Sequence, residues 1–150
     1  MLIRTASLDD YEQLYSIGKN TPELRVSATE EFMDADEFKW SIQNPEGIFL
    51  LAEEKKKIVG FLYANTKDIE RPFETKYACL VYLVVVPEFR RQGIAKKLHI
   101  ECERRLKERG VTHLYGWAHA EGEGQMIDFM KKQGFAQGHQ YMWMDKRIEK

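Results

Sequence analysis

The sequence predicts an α+β fold built on a mixed sheet, and three observations predict it. Residues 77–86 are dominated by β-branched and aromatic side chains and stop at Pro87, which cannot donate to a ladder, so they form a strand. Residues 94–109 carry Ala95, Leu98, Cys102 and Leu106 at helical spacing, with Gly110 where a left-handed C-terminal cap belongs. Residues 48–53 and 58–64 are apolar runs on either side of the charged tip Glu54-Lys55-Lys56-Lys57, the pattern of a β-hairpin. An antiparallel meander therefore feeds a parallel crossover around the helix that starts at Ile94.

Taken in order, Leu2-Ile3-Arg4 is a short edge strand. Ser7 with Asp10 forms a capping box ahead of an amphipathic helix carrying Leu8, Tyr11, Leu14 and Tyr15, which Asn20-Thr21-Pro22 breaks. A second helical region follows, capped by Ser27 and Glu30, with Phe32, Phe38, Trp40 and Ile42 as its apolar content and the acidic cluster at 34–37 as a point of division. Asn44-Pro45-Glu46-Gly47 is a turn into the hairpin, whose lysine run reads as a solvated tip. Residues 66–76 form a loop, since Arg71-Pro72 forbids regular structure in its middle. After the central helix, residues 111–119 are a further strand and residues 121–124 an acidic loop. Residues 125–133 are a short helix ended by Gly134, and residues 140–147 alternate as a terminal strand.

The chain has 150 residues, enough for one domain over residues 1–150 and too few for two. A formal net charge of -1 gives no basic field for nucleic acid. No apolar run reaches the length of a bilayer span, so no membrane role is expected. Two cysteines, Cys79 and Cys102, fall on faces expected to be buried. They suit buried structural thiols in a reducing cytoplasm better than a disulfide framework or a nucleophile. His99, His113, His119 and His139 are scattered without ligand spacing, so no metal is expected.

Between the central strand and its helix stand Arg90, Arg91, Gln92 and Gly93. The first turn of a helix offers unpartnered N–H groups and a partial positive charge of about half an electron. With Gly93 removing bulk and two arginines adding charge, this turn suits a phosphate or pyrophosphate.

The run Arg90-Arg91-Gln92-Gly93-Ile94-Ala95, after a strand ending in Val-x-Pro, resembles the acyl-coenzyme A motif of the GNAT family of N-acyltransferases. The element order resembles that fold over nearly the whole chain. The resemblance implies acetyl-CoA as acyl donor and a primary amine, of a small molecule or a protein, as acceptor, with no metal. It implies a mostly antiparallel sheet whose one parallel strand pair splays apart to admit the pantetheine arm. Pantetheine would hydrogen-bond to the backbone of Leu83, Val84 and Val85. The pyrophosphate would rest on Arg91, Gln92, Gly93, Ile94, Ala95 and Lys96, with Arg90 opening the motif. The family's second pattern ends at Gly134-Phe135 and departs earlier. Its tyrosine, the usual proton donor to the leaving thiolate, is Met130 here, its alanine Met126 and its asparagine Glu123. A thioether cannot donate a proton.

Acetyl transfer needs a neutral amine, a donor to the oxyanion and, where available, a proton for the thiolate. A backbone N–H near Val84 or Val85 serves the oxyanion. For the base, His119 and Glu121 at the end of the following strand come first and Tyr82 next, because they lie near strand ends facing the wedge. Against each stands a plain reading: a surface histidine, a solvated loop acid, a core tyrosine. Two alternatives to an N-acetyltransferase stay open: a non-catalytic acyl-CoA-binding module that has lost its proton donor, and a nucleotide-binding domain. The last is disfavoured because no phosphate-loop or dinucleotide fingerprint is present. Monomer and homodimer are both open, since the terminal strand at 141–144 has an exposed edge.

Overall fold

A computed structural model of the chain describes residues 1–25, 32–66, 70–120 and 124–149. Its elements are β1 (Leu2–Thr5), α1 (Tyr11–Lys19), α2 (Ala35–Gln43), β2 (Gly47–Glu54), β3 (Lys57–Asn65), β4 (Tyr77–Val85), α3 (Ile94–Glu108), β5 (His113–Gly116) and α4 (Gln125–Lys132). The strands form one sheet in the order β1-β2-β3-β4-β5, antiparallel throughout except for β4 and β5.

The side-chain alternation of the strands builds two cores. One face of the sheet presents Leu50, Leu62, Leu83 and Val85 to Leu98, Cys102 and Leu106 of α3, with Met126 and Phe129 of α4 against the same cluster. The other presents Phe49, Phe61, Tyr63 and Tyr82 to Leu14 of α1 and Phe38 and Ile42 of α2. The first core is aliphatic and the second largely aromatic, with Phe49 stacked between Phe61 and Tyr63 at centroid separations of 5.6 and 5.2 Å.

Local chemistry fixes the helix ends. Asp10 accepts from the Ser7 amide at 2.9 Å, as its spacing from Ser7 predicts, and a short 3₁₀ turn at Leu8–Asp10 runs into α1. The Arg4 guanidinium reaches both Asp10 oxygens at 2.8 Å and Glu53 at 2.9 Å, tying β1 to β2 and to the start of α1. Those Arg4 hydrogen bonds hold the Asp10 carboxyl below its ordinary range. α3 and α4 both end in Schellman caps: Val111 N–H donates to Leu106 O and Phe135 N–H to Met130 O, each at 3.0 Å. Gly110 and Gly134 supply the required left-handed residues at φ +82° and +92°.

The structure corrects the sequence reading in three places. The second helix begins at Ala35, because Asp34 caps it by accepting from the Asp36 amide at 2.9 Å; the expected caps Ser27 and Glu30 lie outside the described residues. β5 is shorter than residues 111–119. The Val111 amide is taken by the α3 cap and the Thr112 amide bonds Lys76 O at 2.9 Å, while beyond Gly116 the chain leaves β4. Residues 140–147 form no strand, for strand propensity becomes a strand only beside a ladder partner.

The β2–β3 hairpin closes through Lys55 and Lys56 at φ +48° and +66°, a type I′ turn made by two residues that disfavour it. Lys56→Gly should therefore raise the melting temperature by about 2 °C, as expected for roughly 0.5–1 kcal/mol in a chain of this size. A lower melting temperature in a thermal scan would contradict the assigned turn.

Candidate functional site

β4 and β5 pair only from Tyr77↔His113 to Leu80↔Gly116. β4 runs on to Val85, so its edge away from β3 opens into a wedge along residues 81–85. A β-bulge marks the parting: Tyr63 pairs with Tyr82 and Ala64 with Leu80, leaving Val81 as the extra residue. A bulge bends its strand and increases local twist, which turns β4 away from β5 at that point.

The ladder decides which backbone groups face the wedge. Val86 N–H donates to Val59 O at 2.9 Å, so the alternation of an antiparallel pair commits Val84 to β3 and turns Leu83 and Val85 outward. The Val85 carbonyl confirms this, since it accepts from Arg90 Nε at 2.9 Å. The expectation that Leu83, Val84 and Val85 offer their backbones alike is thus refined to Leu83 and Val85. Arg90 is a strut between the turn and the end of β4, a role its place in the sequence did not suggest.

Beyond a short 3₁₀ turn at Pro87–Phe89, Arg91 and Gly93 are both left-handed, at φ +63° and +79°, on either side of Gln92. Such alternation turns successive N–H groups to one side and makes an anion-binding concavity. The first α-type bond of α3 runs from the Lys97 amide to Gly93 O at 3.1 Å, so the amides of Ile94, Ala95 and Lys96 lie ahead of the helical ladder. No side chain caps this end and no acidic residue stands in the first turn. A Cβ built on Gly93 meets nothing within 4 Å, so the space above the amides is open. Arg91, Gln92 and Lys96 are exposed around it. A cleft of about 440 Å³ borders the turn, lined by Phe89, Gln92, Ile94 and Lys97 and by Met1, Glu54 and Lys55. The hairpin tip, expected to be merely solvated, therefore brings Lys55 to the wall of that cleft.

The expected catalytic residues are not gathered at one point. Tyr82 is buried against Phe32 and Phe61 on the aromatic face, and burial pushes its hydroxyl well above the ordinary phenol range, so it is a donor rather than a base at neutral pH. His119 is exposed on the chain beyond β5, and Glu121 lies outside the described residues, as does Glu123. Burial pushes the Cys102 thiol up to about 12 in the α3 core, which suits a structural cysteine. Among the described residues no group of three ligating side chains is placed to hold a metal.

A sequence model of the Acetyltransferase (GNAT) family matches residues 10–135. The chain belongs to the GNAT acetyltransferase family. An uncharacterized N-acetyltransferase of Methanocaldococcus jannaschii is 31% identical over 98 residues, which are 65% of this chain and 43% of that protein. The match thus spans under half the length of that curated relative. Among solved structures, an aminoglycoside acetyltransferase from an uncultured soil metagenomic sample, in complex with trehalose, superposes with a TM-score of 0.78 at 19% identity, covering 99% of this chain and 96% of that one. The aminoglycoside N-acetyltransferase AAC(6')-Iy, in complex with the bisubstrate analogue CoA-S-monomethyl-acetylneamine, gives 0.72 at 19% identity over 98% of both chains. A transcriptional regulator from Bacillus halodurans gives 0.77 at 20%, covering 97% of this chain and 99% of that one. These likenesses establish a shared fold.

Within the GNAT fold, the departure at Met130 acquires a location. Met130 is buried in α4, and its methyl lies 3.5 Å from where a Cβ on Gly116 would stand, at the residue where β5 parts from β4. A thioether thus occupies the floor of the wedge.

Proposed function

We propose that the protein is an N-acetyltransferase that carries the acetyl group of acetyl-CoA to the primary amine of a small molecule, by direct attack in a ternary complex. The observation that carries this reading is continuity. The wedge beside Leu83 and Val85 belongs to the strand whose end leads directly into the amide concavity at Gly93. A pantetheine arm is a chain of amides and can bond to an open strand edge as another strand would. A diphosphate suits N–H groups that no side chain caps, with Arg91 and Lys96 beside them.

On this reading Leu83 and Val85 align the arm, and Gln92 to Lys96 hold the diphosphate. The Val85 N–H points toward the wedge and donates to the oxyanion; the Val84 N–H is spent on β3. The amine lone pair attacks the thioester carbonyl, a C–N bond forms, the C–S bond breaks, and the thiolate leaves with the electron pair. A thiol near pKa 8.5 is a tolerable leaving group without a dedicated acid. The amine proton passes to His119 or Glu121, which follow β5, or to solvent. Cys79 and Cys102 are not joined in a disulfide, and a reducing cytoplasm suits such a pair.

Buried Met130 favours a second reading, a non-catalytic acyl-CoA-binding module. The two part on one measurement: free thiol released from acetyl-CoA across a panel of primary amines. Amine-dependent release is expected. Coenzyme A binding without release for any amine would establish the module instead.

Three variants test the placement. Gly93→Glu should weaken coenzyme A binding by roughly tenfold or more in calorimetry, because it sets a negative charge over the amides. Gly93→Ala, with the same backbone strain and no charge, should lose less; equal affinity of the glutamate variant and the natural chain would remove the diphosphate from this turn. Met130→Tyr should leave the transfer rate unchanged or raise it, by up to about 10²-fold if the new phenol reaches the thiolate. A large loss would assign Met130 a part in substrate binding.

A further inference from the structure

Arg71 stands in the loop before β4, and its guanidinium rests on two aromatic rings. The guanidinium carbon lies 5.1 Å from the Phe73 ring centroid and 5.7 Å from that of Tyr77. Tyr77 in turn packs on His113 of β5, with centroids 5.3 Å apart. The backbone beneath is tied as well. Lys76 Nζ donates to the Arg71 carbonyl, the Lys76 amide donates to Thr112 Oγ1 at 2.9 Å, and the Thr112 and His113 amides donate to the Lys76 carbonyl. The side chain is thus held at both ends, and little rotamer freedom remains to be lost on binding.

A ring face attracts the charge but supplies no oxygen to the five N–H donors. Among the described residues no oxygen accepts from this guanidinium and no carboxylate pairs with it, although Glu70 and Glu74 stand in the same loop. Arg4, Arg104 and Arg105 each have a carboxylate, and Arg90 and Arg109 donate to carbonyls. A fixed planar fork with idle donors suits a bidentate carboxylate. Phe73 and Tyr77 are 59% and 36% exposed, so apolar surface lies beside that fork.

We propose that Arg71 anchors an anion site whose occupant is the carboxylate of the acceptor. The site stands on the clamp; the occupant rests on the acetyltransferase reading above. On that reading the donor's phosphates are held beyond Val85, at the far end of β4, so a cationic fork at its near end serves the other substrate. Ala78 and Leu80 face the α3 core, which sets Tyr77 on the opposite face of the sheet. From Tyr77 to Val81, where the strands part, is about 13 Å of extended strand. The amine and carboxylate of a free α-amino acid are too close to occupy both places, whereas about four residues of extended peptide span them. The acceptor class is therefore a short peptide or a chain of like length. It has a free amine at one end, and a carboxylate with an apolar group beside it at the other.

N-acetylphenylalanine carries the carboxylate and the ring but no free amine. Titrated into the isotope-labelled chain, it should shift the Arg71 Nε–H signal and the Phe73 and Tyr77 amides saturably in heteronuclear NMR, and its amide should not. Arg71→Gln should weaken this binding by roughly tenfold or more while the rest of the spectrum stays in place. In thiol release from acetyl-CoA, Gly-Gly-Gly-Phe should exceed its C-terminal amide by roughly tenfold in kcat/KM, an advantage lost in Arg71→Gln. Phenylalanine should show no such advantage over phenylalaninamide. An Arg71 signal that N-acetylphenylalanine leaves unmoved, or that its amide moves equally, would overturn the site. Binding at Arg71 with equal rates for the tetrapeptide and its amide would overturn the carboxylate-bearing acceptor. Binding with no thiol released by any amine would overturn the acetyltransferase reading itself, and with it the acceptor as occupant.

Discussion

The structure depends on the loss of pairing between β4 and β5 after Leu80 and Gly116. A parallel pair that continued to Val85 would satisfy its own amides and leave no edge for a ligand. The extra residue Val81 prevents this, and its effect shows in the packing. Ala78 and Leu80 face the α3 core at even positions, while Leu83 and Val85 face the same core at odd ones. Without the bulge, Tyr82 and Val84 would face α3, and the aromatic layer would lose the ring that closes it against Phe61. The bulge therefore joins two requirements: it parts the strands, and it keeps the aliphatic and aromatic faces sorted while doing so.

The turn beyond β4 follows from the same edge. Because Val85 points its carbonyl away from β3, an acceptor is available to Arg90, and the Arg90 strut at 2.9 Å fixes how the turn leaves the strand. Left-handed Arg91 and Gly93 then present their amides together. Gly93 adopts φ +79° at no steric cost, whereas Arg91 at +63° bears a strain of order 1–2 kcal/mol. A non-glycine residue held there, next to uncapped amides, is what a binding turn shows when backbone shape outranks local comfort.

Much of this was legible in the sequence, and the division has physical causes. Local signals were sufficient for α3, α4 and the hairpin, since helix periodicity, Gly110, Gly134 and Pro87 act within a few residues of themselves. Signals that depend on neighbours were not. Residues 77–85 are apolar at nearly every position, so no alternation exists in which a skipped residue at Val81 would show. The Asp34 cap was hidden among the three acidic residues Asp34, Asp36 and Glu37. Lys55 reaches the cleft beside Gln92 because the hairpin tip and the first turn of α3 border the same space, a neighbourhood far apart in sequence. The terminal strand was legible as a tendency and absent as a structure, because propensity becomes a strand only beside a ladder partner.

The position of Met130 bears on what kind of catalyst such a site can be. A buried thioether at the floor of the wedge, its methyl 3.5 Å from where a Gly116 Cβ would stand, neither donates a proton nor tolerates an unpaired charge beside it. On the acetyltransferase reading proposed above, catalysis there would rest on positioning and on the fixed dipole of the Val85 amide, with the thiolate protonated after it departs. The cost is bounded, because general acid assistance is typically worth about 10²–10⁴ in rate, while alignment and oxyanion stabilisation remain available.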